Sequence, residues 1–228
     1  YAPPVAGIRN TSVVYDALGR ETQVTNPDGS SRTVTYNHWR TDTRDENGHL
    51  SRRFSDAYGN IIRVDEYIDG QYQLTHYTYS AANELLRIVD AVGNAFVWTY
   101  DSLGRQLTLD DPDMGTWTYG YDLVGNVVRQ TDARGVAVVK TYDALNRPLK
   151  LDYPTQTDVI YTYDQGVIGT LSSVQDAAGT VSHTFDQRLR QTGETRTIGS
   201  LSWSTTVGYD ALDRVTSITY PTGEVVTF

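Results

Sequence analysis

The sequence contains no cysteine, and this absence narrows both its chemistry and its origin. Disulfides, thiolate metal sites and cysteine nucleophiles are all excluded. An extracellular animal domain of this size would usually carry disulfides, so the sequence favours a bacterial protein.

Basic charge and long apolar runs are scarce as well. The 228 residues carry 19 Lys and Arg against 28 Asp and Glu, which gives a formal net charge of −9. A nucleic-acid-binding protein needs a basic surface, and this balance does not provide one. No apolar stretch approaches the length of a membrane span, so we expect no span in this segment.

Motifs for catalysis or metal binding are absent too. The chain has four histidines without metal-site spacing: His38, His49, His76 and His183. The segment 42–48 resembles a calcium loop, but the positions where an EF-hand needs Asp and Glu hold Thr43 and Phe54. No serine elbow or phosphate-binding loop is present. We therefore predict no catalytic residue, no cofactor, no metal site and no enzymatic activity.

What the sequence does have is a repeated tyrosine. Five tyrosines stand 21 residues apart: Tyr79, Tyr100, Tyr121, Tyr142 and Tyr163. Counting variants, we find ten copies of one block, anchored at Tyr15, Tyr36, Ser55, Tyr79, Tyr100, Tyr121, Tyr142, Tyr163, Phe185 and Tyr209. A fixed period of this length indicates one supersecondary unit that is stacked many times.

Each copy has two turn signals. An Asp usually follows the tyrosine, and the fifth residue is Gly, Asn or Asp, types that tolerate positive φ in a tight turn. A second turn signal follows about ten residues later, so strands of roughly 6–8 residues lie between the turns. We interpret the repeated residues as structural anchors: Tyr15, Asp16, Gly19, Tyr79, Tyr100, Asp101, Gly104, Tyr121, Asp122, Gly125, Tyr142, Asp143, Tyr163, Tyr209 and Asp210.

Residues alternate along the strands with a period of two. Phe96, Trp98 and Tyr100 fall on one face, while Thr99 falls on the other. This alternation is typical of a half-buried antiparallel sheet. The fold class predicted is all-β: antiparallel hairpins with about twenty strands, in a sheet that must curl into a spiral, close on itself or pack on another sheet. We expect one array over residues 1–228, with 1–12 as a leading strand or linker, and irregularity at Ser55, Tyr163 and Phe185.

The block from Tyr100 to Arg105 and its period resemble the YD repeat of the RHS family. This family includes bacterial polymorphic toxins, the B and C components of insecticidal Tc toxins, and animal teneurins. The resemblance implies that the repeats form part of a curved, spiralling β-shell, which is hollow and surrounds a cytotoxic C-terminal domain. It also implies that this chain is a non-enzymatic piece of a longer protein, partnered by the remaining repeats and an enclosed toxin. Such a protein would be bacterial and secreted or cell-surface associated, and no targeting signal is evident in this piece.

Two alternatives remain open. The segment Asp111–Gly115 resembles the family's self-cleavage motif, but it lies within the array and has one residue too many between Pro and Gly, so we interpret it as a repeat turn. The tyrosine and tryptophan stripes also suit sugar stacking. An adhesive surface that binds cell-surface glycans is therefore the alternative function, with Trp98 and Trp117 as the candidate platform.

Overall fold

The computed structural model describes residues 10–228, and every regular element in that range is a β-strand. The all-β prediction is confirmed, with 21 strands where about twenty were expected. We expected residues 1–12 to form a leading strand or linker. Positions 1–9 of that segment lie outside the described residues, and the first strand begins at Ser12.

The chain divides into two compact units, one ending at Thr116 and one beginning at Trp117. The first contains β1 (Ser12–Tyr15), β2 (Glu21–Thr25), β3 (Ser31–Asn37), β4 (Arg40–Arg44), β5 (Leu50–Ser55), β6 (Ile61–Ile68), β7 (Gln71–Tyr79), β8 (Leu85–Val89), β9 (Ala95–Tyr100) and β10 (Gln106–Asp111). Each of these strands pairs antiparallel with the next one along the chain.

The second unit repeats this arrangement. Its strands are β11 (Gly115–Tyr121, which starts just before the boundary), β12 (Val127–Thr131), β13 (Ala137–Tyr142), β14 (Pro148–Asp152), β15 (Val159–Tyr163), β16 (Leu171–Asp176), β17 (Gly179–Phe185), β18 (Gln191–Ile198), β19 (Leu201–Tyr209), β20 (Val215–Thr219) and β21 (Val225–Thr227). Consecutive strands again pair antiparallel. That the two units form one continuous array stays a prediction.

The side chains of every strand alternate between the two faces of the sheet. In the first unit, Ile88 pairs with Phe96, and Leu109 pairs with Trp98, on what we call the aromatic face. The residues between them along each strand point to the opposite side, which we call the polar face. In the second unit this face is rich in hydroxyl groups. Four of its residues pair in a row there: Ser173, Ser182, Thr195 and Ser204. The alternation expected from the sequence is thus observed.

No hydrophobic residue within 10–228 is fully buried. The few buried side chains are polar, those of Asp65, Asp111, Thr170 and Ser172. This follows from the pairing pattern, because a single layer of sheet leaves both faces partly open to water. Hydrophobic burial therefore contributes less here than in a two-layer domain of equal length.

The turns at the two ends of the hairpins differ. At every repeat anchor except Tyr36, the register shifts by one residue next to the turn, which marks a β-bulge. Pairs that meet at the opposite turns, such as β8–β9 and β12–β13, keep an unbroken register. Since a bulge bends a strand and increases its twist, the distortion is confined to one end of each hairpin.

The positive φ expected at the fifth position is observed, for example at Gly125 (φ 98°) and Asn146 (φ 62°). Phe185 was expected to begin an irregular copy, yet its turn is regular, with Leu189 at φ 63° and its N–H donating to the Asp186 carbonyl at 3.0 Å. The Tyr36 copy is irregular although the sequence did not predict this, because β3 and β4 are joined directly through His38 (φ 52°) without an aspartate.

The Tyr163 copy is irregular as expected, and its turn is a longer loop. Asp164 has φ 63°, and its N–H donates to the carbonyl of Thr170 at 3.0 Å rather than to a residue four positions on. Strand lengths also vary more than the expected 6–8 residues, from 3 in β21 to 9 in β7.

Replacing Leu189 by glycine should stabilise the protein. A side chain in the left-handed region costs about 1–2 kcal/mol, and the greater freedom of glycine in the unfolded chain offsets about 0.4–1 kcal/mol. Leu189 is exposed and loses little packing, so we expect a net gain of about 0.5–1 kcal/mol in the free energy of unfolding in urea. In the matched control, Gly125→Ala, the free energy of unfolding should fall by about 1 kcal/mol, because a side chain is strained at a φ of 98°. The added Cβ would meet no other atom, so this strain is the only effect expected. A destabilised Leu189→Gly variant would contradict this account.

Candidate functional site

The aspartate after each anchor tyrosine closes its own turn. At Asp143, one carboxylate oxygen accepts the backbone N–H groups of Leu145 (2.8 Å) and Arg147 (2.9 Å). The other oxygen accepts Nε of Arg147 at 2.6 Å. The backbone N–H of Asn146 donates to the Asp143 carbonyl at 3.0 Å. One side chain thus satisfies two turn amides and fixes the arginine that follows.

The same arrangement recurs in other copies. Aspartates whose carboxylates accept the backbone N–H groups two and four residues later are Asp16, Asp56, Asp101, Asp122, Asp186 and Asp210. The sixth position supplies either an arginine, as at Arg20, or an asparagine, as at Asn60, to the second carboxylate oxygen. Either Arg or Asn can occupy this position because the side chain of each donates an N–H to that oxygen.

These contacts depress the pKa values of the turn aspartates. The pKa of Asp143 lies below its ordinary value mainly because it accepts the backbone N–H of Arg147, and then because of that residue's side chain, against a smaller opposing effect of burial. The pKa of Asp101 is lowered by the same contacts from Arg105. The anionic carboxylate is therefore the form that the turn stabilises.

The anchor tyrosines link neighbouring strands. The hydroxyl of Tyr100 donates to the backbone carbonyl of Leu85, the first residue of β8, at 2.9 Å. Equivalent bonds join Tyr36 to Glu21, Tyr79 to Ile61, Tyr142 to Val127, and Tyr209 to Gln191, at 2.9–3.1 Å. Each tyrosine thus attaches the last residues of its strand to the first residue of the strand before it.

Partial burial raises the pKa of the phenols of Tyr79, Tyr100 and Tyr142. For Tyr100 and Tyr142, desolvation is the main cause of the higher pKa, and the nearby carboxylates of Glu84 and Asp122 add to it. The hydroxyl is therefore kept protonated and available as a donor to the carbonyl.

Each turn also contacts the turn of the next copy. The amide of Asn126, a sixth-position residue, donates to the side-chain oxygen of Asn146, the fifth-position residue of the following copy, at 2.9 Å. Arg190 donates to Asp213 at 2.7 Å in the same way. Asn60 likewise donates to Asn83. The sequence identified these fifth-position residues only as turn formers, and it did not reveal that they accept a hydrogen bond from the preceding copy.

Arginines in these turns stack on the next anchor ring. The guanidinium carbon of Arg20 lies 4.1 Å from the ring centroid of Tyr36, and that of Arg147 lies 4.3 Å from the centroid of Tyr163. Arg147 also bridges Asp143 and Asp164, with N–O distances of 2.6 and 2.7 Å. The row of turns is therefore held by contacts between adjacent copies.

A family model with this repeat matches most of the chain. The model described as Teneurin YD-shell aligns with residues 9–199 of the 228. The chain belongs to the teneurin YD-shell family. No curated protein sequence matches it. The turns that begin at the anchor tyrosines are hereafter called YD turns.

Solved Tc toxin structures share the YD-shell fold. A crystal structure of TcdB2-TccC3 is similar with a TM-score of 0.80 and 19% identity, over 94% of this chain and 14% of that one. A crystal structure of TcdB2-TccC3-Cdc42 gives 0.79 and 18%, over 94% and 13%. The Tc holotoxin pore of Photorhabdus luminescens gives 0.77 and 19%, over 94% and 13%.

At this identity the likeness shows the fold alone, and the chain spans about one-seventh of the length of those proteins. The expected membership of the RHS/YD-repeat family and the β-shell fold class are both confirmed.

Other sequence candidates take ordinary turn or sheet positions within the YD-shell fold. In the segment 42–48, Asp45 accepts the N–H groups of Asn47 and His49 and contacts Nδ1 of His49 at 2.9 Å. Asp111 accepts the N–H groups of Asp113 and Met114, which closes the turn at Gly115. Among residues 10–228, no three His, Asp or Glu side chains form a metal-binding group. The same part of the chain has no helix long and apolar enough to cross a membrane.

The two candidate tryptophans have different surroundings. Trp98 is half-buried and stacks on Phe96, with ring centroids 6.3 Å apart and planes at 20°. Trp117 is half-buried and lines a cavity of about 310 Å³ on the aromatic face of the second unit. Its indole N–H is buried and has no hydrogen-bond partner among the described residues. Of the two, Trp117 has the surroundings of a ligand site.

Removing the anchor hydroxyls should destabilise the sheet. We expect Tyr100→Phe and Tyr142→Phe each to lower the free energy of unfolding by about 1 kcal/mol, because the carbonyls of Leu85 and Val127 lose a donor. Tyr119→Phe is the matched control, since its hydroxyl shows no hydrogen bond to any described residue, and it should change stability by less than about 0.5 kcal/mol. Urea unfolding monitored by circular dichroism measures all three. Equal losses in the anchor variants and the control would refute a special role for the anchors.

Stability should fall steeply in acid. The turn aspartates have lowered pKa values, so their contribution is complete above the unfolded-state value of about 3.9 and is lost as the pH falls through the folded-state values. We therefore expect the free energy of unfolding to be nearly constant from about pH 7 to 5 and to decline from about pH 4 to 2. Asp143→Asn should be less stable at neutral pH and show a shallower decline. A flat profile down to about pH 2 would contradict the proposed contribution of these carboxylates.

Proposed function

We propose that this chain is a non-enzymatic structural segment of an RHS-repeat β-shell that encloses and shields a toxin or effector polypeptide before delivery. The observation that carries the proposal is the membership of the YD-shell family together with the fold shared with the TcdB2-TccC3 complex. In this proposal the anchor residues of the YD turns are structural and form no active site. The partners are the remaining repeats of the parent protein and the enclosed C-terminal toxin domain.

The physical design of the sheet supports a role as a wall. A wall must be thin, extended and stable without a filled interior, and no hydrophobic residue in the range 10–228 is fully buried. Stability arises instead from contacts between successive copies, such as the bond from Asn126 to Asn146. A unit that contacts mainly its neighbours can be repeated to any length, which a shell around a large cargo requires.

The location proposed for the parent protein follows from this function. A shell that delivers a toxin acts outside the cell that makes it, so we place the protein among secreted or cell-surface-associated bacterial proteins of the polymorphic toxin type. The absence of cysteine from the sequence agrees with a bacterial origin. A teneurin-like receptor remains the other possible parent within the same family.

The alternative function is an extracellular surface that binds carbohydrate through its tyrosine and tryptophan stripes. The anchor tyrosines are poor candidates for sugar binding, because hydroxyls such as those of Tyr100 and Tyr142 already donate to backbone carbonyls. Trp117 is not engaged in this way. We therefore place the alternative, sugar-binding function at Trp117.

Protease protection tests the shielding function in the full-length parent protein. The polypeptide that follows the shell should resist digestion by a nonspecific protease, because a closed wall keeps a folded enzyme out. Deleting residues 117–228 from the parent should open the wall and expose the cargo, as followed by mass spectrometry of the fragments over time. An in-frame deletion of equal length in a region outside the shell is the matched control. Digestion of the cargo at the same rate in the intact and opened proteins would refute the proposal.

A further inference from the structure

A groove on the aromatic face of the second unit is not explained by a role as a wall. Strands β11 to β14 form its floor, and its lining includes Trp117, Gln130, Lys140, Leu151, Tyr153 and Gln156. The register places Lys140 opposite Leu151 and Gln130 opposite Val138, so these side chains emerge from the same side of the sheet. The cavity of about 310 Å³ falls at the lower end of the range of small-ligand sites.

Two aromatic residues bound the groove. Trp117 belongs to β11, and Tyr153 directly follows β14, so three strand spacings separate them. At 4.7–4.9 Å per spacing, the two strands lie about 14 Å apart across the sheet. This span accommodates an elongated molecule of two or more rings lying between two aromatic platforms.

The polar groups of the groove are mainly unused donors. The indole N–H of Trp117 is buried without a partner among the described residues. Lys140 forms no ion pair within the described part of the chain, and its only hydrogen bond there is a long one, 3.5 Å, to the side-chain oxygen of Gln130. A buried N–H and a half-buried ammonium both gain from a ligand that supplies acceptors.

The one carboxylate of the groove is already occupied. Asp132 accepts the backbone N–H groups of Arg134 (3.0 Å) and Val136 (2.9 Å), and its second oxygen accepts Nε of Arg134 at 2.9 Å. It is therefore not available to neutralise Lys140. In a chain of net charge −9, the groove presents an uncompensated positive charge beside an aromatic surface.

We propose that the groove between Trp117 and Tyr153 binds an acidic carbohydrate, with a sugar ring stacked on the aromatic side chains and a carboxylate paired with Lys140. The apolar C–H face of a pyranose fits an aromatic platform. Its hydroxyls both donate and accept, as do the side-chain amides of Gln130 and Gln156 that line the groove. An acidic peptide would satisfy Lys140, but it has no ring to place on the two platforms. This proposal does not depend on the shielding function.

Calorimetric titration of the 228-residue chain with tetragalacturonate tests the proposal. The matched ligand is the fully methyl-esterified tetramer, which keeps the rings and removes the charges. We expect the acid to bind about tenfold more tightly than the ester at low salt, and this preference to shrink as salt screens the ion pair. Tetraglutamate, which has the charge without the rings, should bind at least about tenfold more weakly than the sugar acid.

Variants assign the binding to the groove. Lys140→Gln should reduce the affinity for the acid about tenfold and leave that for the ester unchanged, so that the two ligands become equivalent. Trp117→Ala should weaken both ligands about tenfold or more. Trp203→Ala, which removes an aromatic side chain from the same face of the unit outside the groove, should bind both as the unaltered chain does.

Three results would overturn the proposal: no binding of tetragalacturonate, equal binding of tetraglutamate, or a preference for the acid that survives in Lys140→Gln. If Trp117→Ala fails to fold by circular dichroism, the comparison of the acid and its ester on the unaltered chain and on Lys140→Gln still decides. The same substitutions can be made in the parent protein. If they abolish sugar binding and leave the protease protection of the cargo unchanged, this site is separate from the shielding function.

Discussion

A single layer of β-sheet has no interior, and this constraint governs the rest of the structure. Most domains of this length gain their stability by burying apolar side chains between two layers. Here the described residues bury no hydrophobic side chain fully, and the few buried side chains, such as those of Asp65 and Asp111, are polar. The free energy that holds the sheet together must therefore come from strand pairing and from contacts within and between the turns.

The YD turn concentrates those contacts in a short segment. The aspartate closes the turn, its arginine or asparagine partner contacts the next copy, and the tyrosine hydroxyl fastens its strand to the one before, as at Tyr142, Asp143 and Arg147. Each of these bonds contributes little by itself. Their effect grows because they recur in almost every copy. A structure of this kind resembles other repeat proteins, in which stability is the sum of many nearest-neighbour terms.

The sequence was sufficient to predict the fold class because the period, the turn residues and the alternation of strands agreed with one another. It also identified positions of positive φ, such as Gly125 and Asn146. The regular turn at Phe185 was missed because Leu189 is a residue that rarely adopts positive φ, although Asp186 closes this turn with the same hydrogen bonds as in other copies. The irregular copy at Tyr36 was missed because it was counted from its 21-residue spacing, although Asn37 replaces the aspartate and Arg40 stands at the fifth position.

Contacts between copies were beyond the reach of the sequence. Asn146 has the residue type expected of a turn, and nothing in one sequence separates that role from acceptance of a bond from Asn126. The groove at Trp117 shows the same limit. Trp98 and Trp117 both lie an even number of residues before an anchor tyrosine, and only the structure shows that one stacks on Phe96 while the other borders an open cavity with an unpaired N–H. Periodicity predicts which face a side chain occupies, but it does not describe the surroundings of that side chain.

Residue-resolved hydrogen exchange of an Asp143→Ala variant tests the central claim most directly. If stability is a sum of contacts between adjacent copies, the amides of Leu145 and Arg147 and those of the flanking strands β13 and β14 should lose protection, because their acceptor or their neighbour is gone. Strands at the far end of the same unit, such as β20 and β21, should keep theirs. A uniform loss of protection over all strands of the unit would show that it unfolds as a single cooperative body, and would contradict the account.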